Sequence, residues 1–272
     1  MVIFNEQCII MYNVDRRNLS VSGLSRVSRK FLHAALVLLC CACTRTPTGH
    51  LKLNFSFVVD NDSLRLDTCM YRNAAGNLYE VNDVQFFISH VKLETTSGET
   101  VEIVDNQGIH YTDIRIPGTL SWSISDLLPA DEYKSITFVF GLEGAQNATG
   151  FFPNPPENNM SWPDILGGGY HYMKINGRWI DSSGVRQPFN LHSGKIATDS
   201  GFADNTFTVT LPLSQFAVIH KETIELTLQM NVNAWFSNPY LFDFNVFGGS
   251  IMQNREAQEV LRENGRDVFG VK

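Results

Sequence analysis

Leu51-Lys52-Leu53-Asn54-Phe55-Ser56-Phe57-Val58-Val59 alternates: Leu51, Leu53, Phe55, Phe57 and Val59 fall on one side, with Lys52, Asn54 and Ser56 on the other. A period of two marks a strand with one face on a core and the other in water. The same reading recurs downstream. Residues 84–93 form a long strand ending before Ser97-Gly98, and short strands fit 101–104 and 109–114. Residues 133–142 are the most apolar run, with Ile136, Phe138 and Phe140 alternating against Thr137 and Val139. Residues 64–67, 206–213, 223–232 and 241–247 complete the set, separated by turns such as Asp60-Asn61-Asp62-Ser63 and Asn73-Ala74-Ala75-Gly76-Asn77. The clearest helix comes last, over 253–263, with Ala257, Val260 and Leu261 on one face and Asn264-Gly265 as its stop. About ten short strands with 11% aromatics predict an all-β fold, an antiparallel β-sandwich with a short C-terminal helix. Period alone leaves an up-and-down barrel open.

The first 43 of the 272 residues precede that fold. Arg26, Arg29 and Lys30 stand before an apolar run over 31–41, followed by Ala42-Cys43. A basic region, a short apolar region and a small residue before cysteine describe a secretory signal, and the run is too short to span a membrane. Leu38-Leu39-Cys40-Cys41-Ala42-Cys43 resembles a bacterial lipobox, with Cys43 as the lipid-modified first residue of the mature protein. A plain secretory signal cleaved nearby is the alternative. Residues 1–25 lie upstream of a complete signal, as they would if the start codon were called too early. The expectation is a protein of the bacterial cell envelope, periplasmic or surface-exposed and held to the membrane by a lipid anchor. Residues 44–50 are then a polar tether and 51–272 the folded domain. Removing the five basic and two acidic side chains of residues 1–42 leaves 16 Lys+Arg against 26 Asp+Glu, a net charge of −10. An acidic surface argues against nucleic acid, whose phosphates demand a positive face. Of the five cysteines only Cys69 falls in the domain, which excludes an internal disulfide there and predicts a buried strand cysteine.

Chemistry concentrates in residues 160–194. Trp162-Pro163 and the triple glycine 167–169 lead into an aromatic strand carrying His171, and a polar turn leads to Phe189-Asn190-Leu191-His192-Ser193-Gly194. Three successive glycines mark a special backbone conformation or a close approach. Pairing of the two segments as a hairpin brings His171 and His192 within reach of one another, with Met160 and Trp162 at the mouth. Imidazoles from adjacent strands with soft or aromatic neighbours suit Cu(I); the plainer reading is two strand histidines hydrogen-bonded on a polar face. His90 alternates with Phe86 and Ile88 and reads as a buried histidine, while His110 and His220 have no companions. Residues 143–164 form a long irregular segment containing four of the ten prolines. Loops of that length are functional or disordered. Phe151, Phe152, Trp162 and Tyr170 could make an exposed aromatic platform over 151–170 for a glycan or a partner protein. Asp164, Asp181, Glu143 and Glu157 offer the carboxylates a glycosidase would require. No Gly-x-Ser-x-Gly elbow, phosphate loop or His-Glu-x-x-His helix occurs.

Taken in order, Val84-x-Phe86-Phe87-Ile88-Ser89-His90-Val91-Lys92-Leu93, Phe140-Gly141-Leu142, Met160-x-Trp162, Gly169-Tyr170-His171-Tyr172-Met173-Lys174 and Phe189-Asn190-Leu191-His192-Ser193-Gly194 resemble the MbnP-like family across 51–265. The resemblance implies a non-enzymatic β-sandwich that binds copper through histidine. It also implies a tryptophan that a partner di-haem enzyme of the peroxidase type oxidises to kynurenine in some members. His192 matches the histidine of the family's His-x-Gly and Trp162 the tryptophan of Met-x-Trp. The chain departs from the pattern where many members carry Asn-His, shortly after the Phe-Gly strand: here it reads Gln146-Asn147-Ala148. His171 stands in as the second metal ligand on the residues alone.

Overall fold

In the computed structural model, which describes residues 46–272, the alternating stretch lies within β1 (Thr48–Val59), the centre of the first sheet. Beside it run β15 (Thr223–Asn231) and β2 (Asp62–Ser63), with β16 (Phe269–Val271) outside β15. The short β7 (Ser121–Ser123) and β8 (Leu128–Pro129) also pair with β1. The second sheet runs β11 (Arg186–Ser193), β10 (Met173–Ile180), β4 (Leu78–Thr95), β9 (Glu132–Phe140) and β14 (Phe207–Ala217). On β4 also lie β3 (Tyr71–Arg72), β5 (Thr100–Glu102) and β6 (His110–Asp113). A separate hairpin joins β12 (Ile196–Thr198) to β13 (Gly201–Ala203). Every pairing between these strands is antiparallel except β1 with β15, which is parallel. Pro188 and Pro212 sit on β11 and β14, the two edge strands, where a missing N–H costs least.

The inward side chains of the two sheets make one core. Phe55 of β1 meets Phe86 of β4 at 6.1 Å, Phe86 stacks on Phe140 at 5.5 Å, and Phe140 stacks on Phe207 at 5.0 Å. Phe269 of β16 reaches Phe86, Phe138 and Phe140 across the gap. Each such ring, fully buried, contributes about 1.5–3 kcal/mol. The architecture is the antiparallel-dominated β-sandwich that the alternation predicts.

β4 is apolar on both faces for part of its length. Phe86 enters the main core, whereas Phe87 joins a second cluster with Ile109, Tyr111, Leu142, Met160, Tyr170 and Tyr172 on the outer side. The long segment 143–172 closes over that face through three short 3-10 turns, Gly144–Asn147, Glu157–Met160 and Asp164–Leu166. It is an ordered cover packed on the sheet, and this places the functional residues.

Several expectations change. Thr48, Gly49 and His50 already belong to β1, so the expected 44–50 tether runs into the domain. Residues 241–247 do not form a strand: Asp243 caps the short helix α1 (Phe244–Phe247), accepting from Asn245 N–H, and Phe242 and Phe244 bury against Phe236. A short apolar run has no period that distinguishes these outcomes. Residues 64–67 leave the sheet after Ser63. Helix α2 (Arg255–Gly265) begins on an Asn254 cap and runs through the predicted stop, and the chain then returns as β16. His90 is exposed rather than buried, because a bulge between Ser89 and Lys92 (His90 φ +51°) breaks the alternation. Cys69 is half-buried on a loop rather than a strand, and its thiol is free. The signal sequence and the Cys43 lipidation site lie outside the described residues.

Candidate functional site

The β10–β11 hairpin forms as its alternation requires, with Lys174 opposite His192 and Asn176 opposite Asn190. Its turn is closed by the Asp181 carboxylate, which accepts from Ser183 N–H and Oγ–H, Val185 N–H and Gln187 Nε2–H. Met173, Ile175, Phe189 and Leu191 point into the core. Lys174, Asn176 and His192 therefore share the outer face. The cross-strand register continues this row to Gln85 on β4 and Asp113 on β6.

His171 is not on the strand. Residues 170–172 run beside 160–162 just before β10: Tyr170 bridges Ser161, His171 N–H donates to the Met160 carbonyl, and Tyr172 N–H donates to Ser193. Gly167, Gly168 and Gly169 turn the chain back with φ of +99°, +60° and +91°, three successive left-handed residues. Gly169 also passes so close to Asn147 that any Cβ would collide with its backbone oxygen. Asn147 is itself buried. Its Oδ1 accepts from Tyr170 N–H, and its amide donates to the Tyr172 hydroxyl and Asp204. This side chain holds the segment that carries His171, and only the tertiary pairing reveals it.

Trp162, His171 and His192 form a column. The indole and the His171 ring lie 4.7 Å apart, the two imidazoles 5.0 Å apart, each pair edge to face. The three residues singled out from the sequence thus converge. Trp162 Nε1–H donates to the Leu166 carbonyl at 2.9 Å, and the indole packs so close to Gly194 that a Cβ there would collide with the ring. His171 Nδ1 lies 2.9 Å from the Met160 carbonyl, which can only accept, so Nδ1 carries the proton and Nε2 is bare. That Nε2 is buried without a hydrogen-bond partner, in a residue 5% exposed. His192 Nε2–H donates to Asn176 Oδ1 at 2.8 Å, leaving its Nδ1 lone pair free of the proton. Burial, and then the charge of Lys174, push His171 down to about 3 and His192 to about 4. Both rings are neutral at neutral pH. Each presents one basic nitrogen.

The remaining candidates are distributed otherwise. Trp162 and Tyr170 are buried, and Phe151 and Phe152 are half-buried against the outer cluster, Phe152 stacking on Phe87 at 5.2 Å. The expected exposed platform over 151–170 is therefore a packed cover: its rings satisfy the second apolar face of β4. Asp181 is committed to its hairpin turn, and Glu143 accepts from the Thr206 hydroxyl. His110 does have companions, being sandwiched between Phe55 at 4.8 Å and Trp122 at 5.2 Å. Among the described residues no group of three or more His, Cys, Asp and Glu is arranged to hold a metal ion, so the imidazole pair stands as a pair.

A family model for MbnP matches residues 48–253. The chain belongs to the MbnP family. The solved structure of MbnP from Methylosinus trichosporium superimposes with a TM-score of 0.50 at 13% identity, covering 71% of this chain and 79% of that one. At that identity the likeness shows the fold. Comparison with curated proteins gives no match. At the position where the MbnP pattern favours Asn-His, Asn147 is the buried brace described above and Ala148 is exposed.

Proposed function

We propose that this MbnP-family chain is a non-enzymatic, lipid-anchored protein of the bacterial envelope that binds Cu(I) through His171 and His192. The observation that carries this reading is the buried, unpartnered Nε2 of His171 beside a second neutral imidazole. An unsatisfied buried polar atom costs about 1–3 kcal/mol, and a soft cation at that nitrogen removes the cost. The donor set fits Cu(I), which accepts few, soft or imidazole ligands, better than Zn²⁺, which takes four in structural sites. His171 Nε2 and His192 Nδ1 would hold the ion, while Trp162 shields one side and the Met160 carbonyl and Asn176 fix the two tautomers. Copper, when bound, supplies a one-electron redox centre. Trp162, in edge contact with His171, is the residue a di-haem partner enzyme would oxidise, and Cys43 is the lipid attachment point. The test is Cu(I) uptake by competition with a colorimetric chelator. One equivalent is expected, lost in both His192→Ala and His171→Ala. Undiminished uptake in either variant removes that residue from the site.

A further inference from the structure

Lys174 is directly opposite His192 in the hairpin, and its ammonium donates to the Asn159 carbonyl at 2.7 Å. Asn159 immediately precedes Met160, whose carbonyl holds His171. The ammonium is thus pinned between the strand that carries one imidazole and the turn that anchors the other. It is half-buried and makes no ion pair among the described residues; Asp83 and Asp113 act on it only at longer range. A fixed, partly desolvated positive charge beside two neutral ligands is an unusual companion for a cation site.

We propose that Lys174 sets the oxidation-state preference of this site, making it selective for Cu(I) over Cu(II). The proposal rests on the copper reading above and adds a role that no ligand performs. Repulsion from one fixed charge grows in proportion to the charge on the ion, so it weighs twice as heavily on Cu(II) as on Cu(I). Lys174 therefore raises the reduction potential of the bound ion. Asp83 is half-buried, its Oδ1 is enclosed without a hydrogen-bond partner, and the neighbouring Asp113 carboxylate adds to burial in pushing its pKa up.

The experiment measures Cu(I) and Cu(II) affinities separately, by competition with chelators for each state, together with the reduction potential of the bound ion. The proteins are wild type, Lys174→Gln, Lys174→Met and Lys174→Arg. At an effective dielectric near 20, a unit charge within about 12 Å of the ion costs Cu(I) binding at least about tenfold, so loss of the charge raises Cu(I) affinity by about tenfold or more and Cu(II) affinity by the square of that factor. The potential then falls by at least about 59 mV, the equivalent of a tenfold change in the ratio. Lys174→Arg keeps the charge and retains the wild-type ratio, which separates the electrostatic effect from lost packing. An unchanged ratio in both neutral variants, with copper still bound, overturns the role of Lys174 and leaves the copper site standing. A wild-type protein that binds copper in neither state overturns both.

Discussion

Gly194→Ala tests the packing that brings the site together. The φ of Gly194 lies outside the left-handed region, so the demand for glycine here is one of space. A Cβ built at this position lies 2.5, 2.6 and 2.8 Å from Cδ2, Cε3 and Cε2 of Trp162. These are atoms of the rigid indole, two of them at the ring fusion, not the end of a flexible chain. Carbon atoms in contact sit at about 3.5–4.0 Å, so the indole must retreat by about 1 Å. It is held by the Nε1–Leu166 hydrogen bond and by the His171 ring in front of it. Overpacking of this kind costs about 1–3 kcal/mol, offset by about 0.4–1 kcal/mol from the stiffer unfolded chain, a net loss of about 1–2 kcal/mol. For a domain of this size that lowers Tm by about 2–8 °C. Denaturant unfolding followed by tryptophan fluorescence is expected to give a lower midpoint at unchanged slope, with altered native emission as Trp162 shifts. A variant within about 0.5 kcal/mol of wild type, with native emission unchanged, would refute the argument that Trp162 is seated on Gly194.

Acid sensitivity follows from three histidines. Burial holds His110 and His192 at about 4 and His171 at about 3, all below the ordinary 6.5. The unfolded chain therefore takes up protons near pH 6.5 while the native one does not, so stability is intact at neutral pH and falls as pH drops from about 6.5 toward 4. Each histidine contributes up to about 1.4 kcal/mol per pH unit. Thermal melts from pH 7 to 5 should show a declining Tm, with a shallower slope in His110→Phe; a flat profile counts against all three burial assignments. Gln258 on α2 is buried and donates to the His192 carbonyl at 2.7 Å. Gln258→Leu strands that carbonyl and is expected to cost about 1–3 kcal/mol, read as a lower urea midpoint. A midpoint equal to wild type would mean that the helix does not brace β11.

The legible part of the site was the part written on adjacent strands. His192, on β11, follows from period and turn chemistry alone, and the triple glycine announces an unusual turn that the φ values bear out. The bracing residues were not legible: Asn147, from the 3-10 turn after β9, and Gln258, from α2, come from distant stretches, and Asn176 and Lys174 of β10 read as ordinary outward polar residues. The aromatic loop misled for a definite reason. Phe151, Phe152 and Tyr170 read as rings without a partner until the chain is seen to fold back over Phe87 of β4. His90 misled through one bulge, since a single extra residue reverses which face a side chain takes.

The sequence by itself determined the all-β class, most of the strands, the terminal helix, the membership of the MbnP family and the three residues of the aromatic–imidazole column. Those follow from local period, turn residues and motif order, which short stretches encode without reference to the rest of the chain. Only the tertiary structure decided that β1 and β15 pair in parallel and that 143–172 is a packed cover. It alone decided which imidazole nitrogens are bare and that a lysine charge stands beside them. These depend on which distant segments meet across the sheet, and on the burial that meeting creates, and neither is carried by any one stretch of residues.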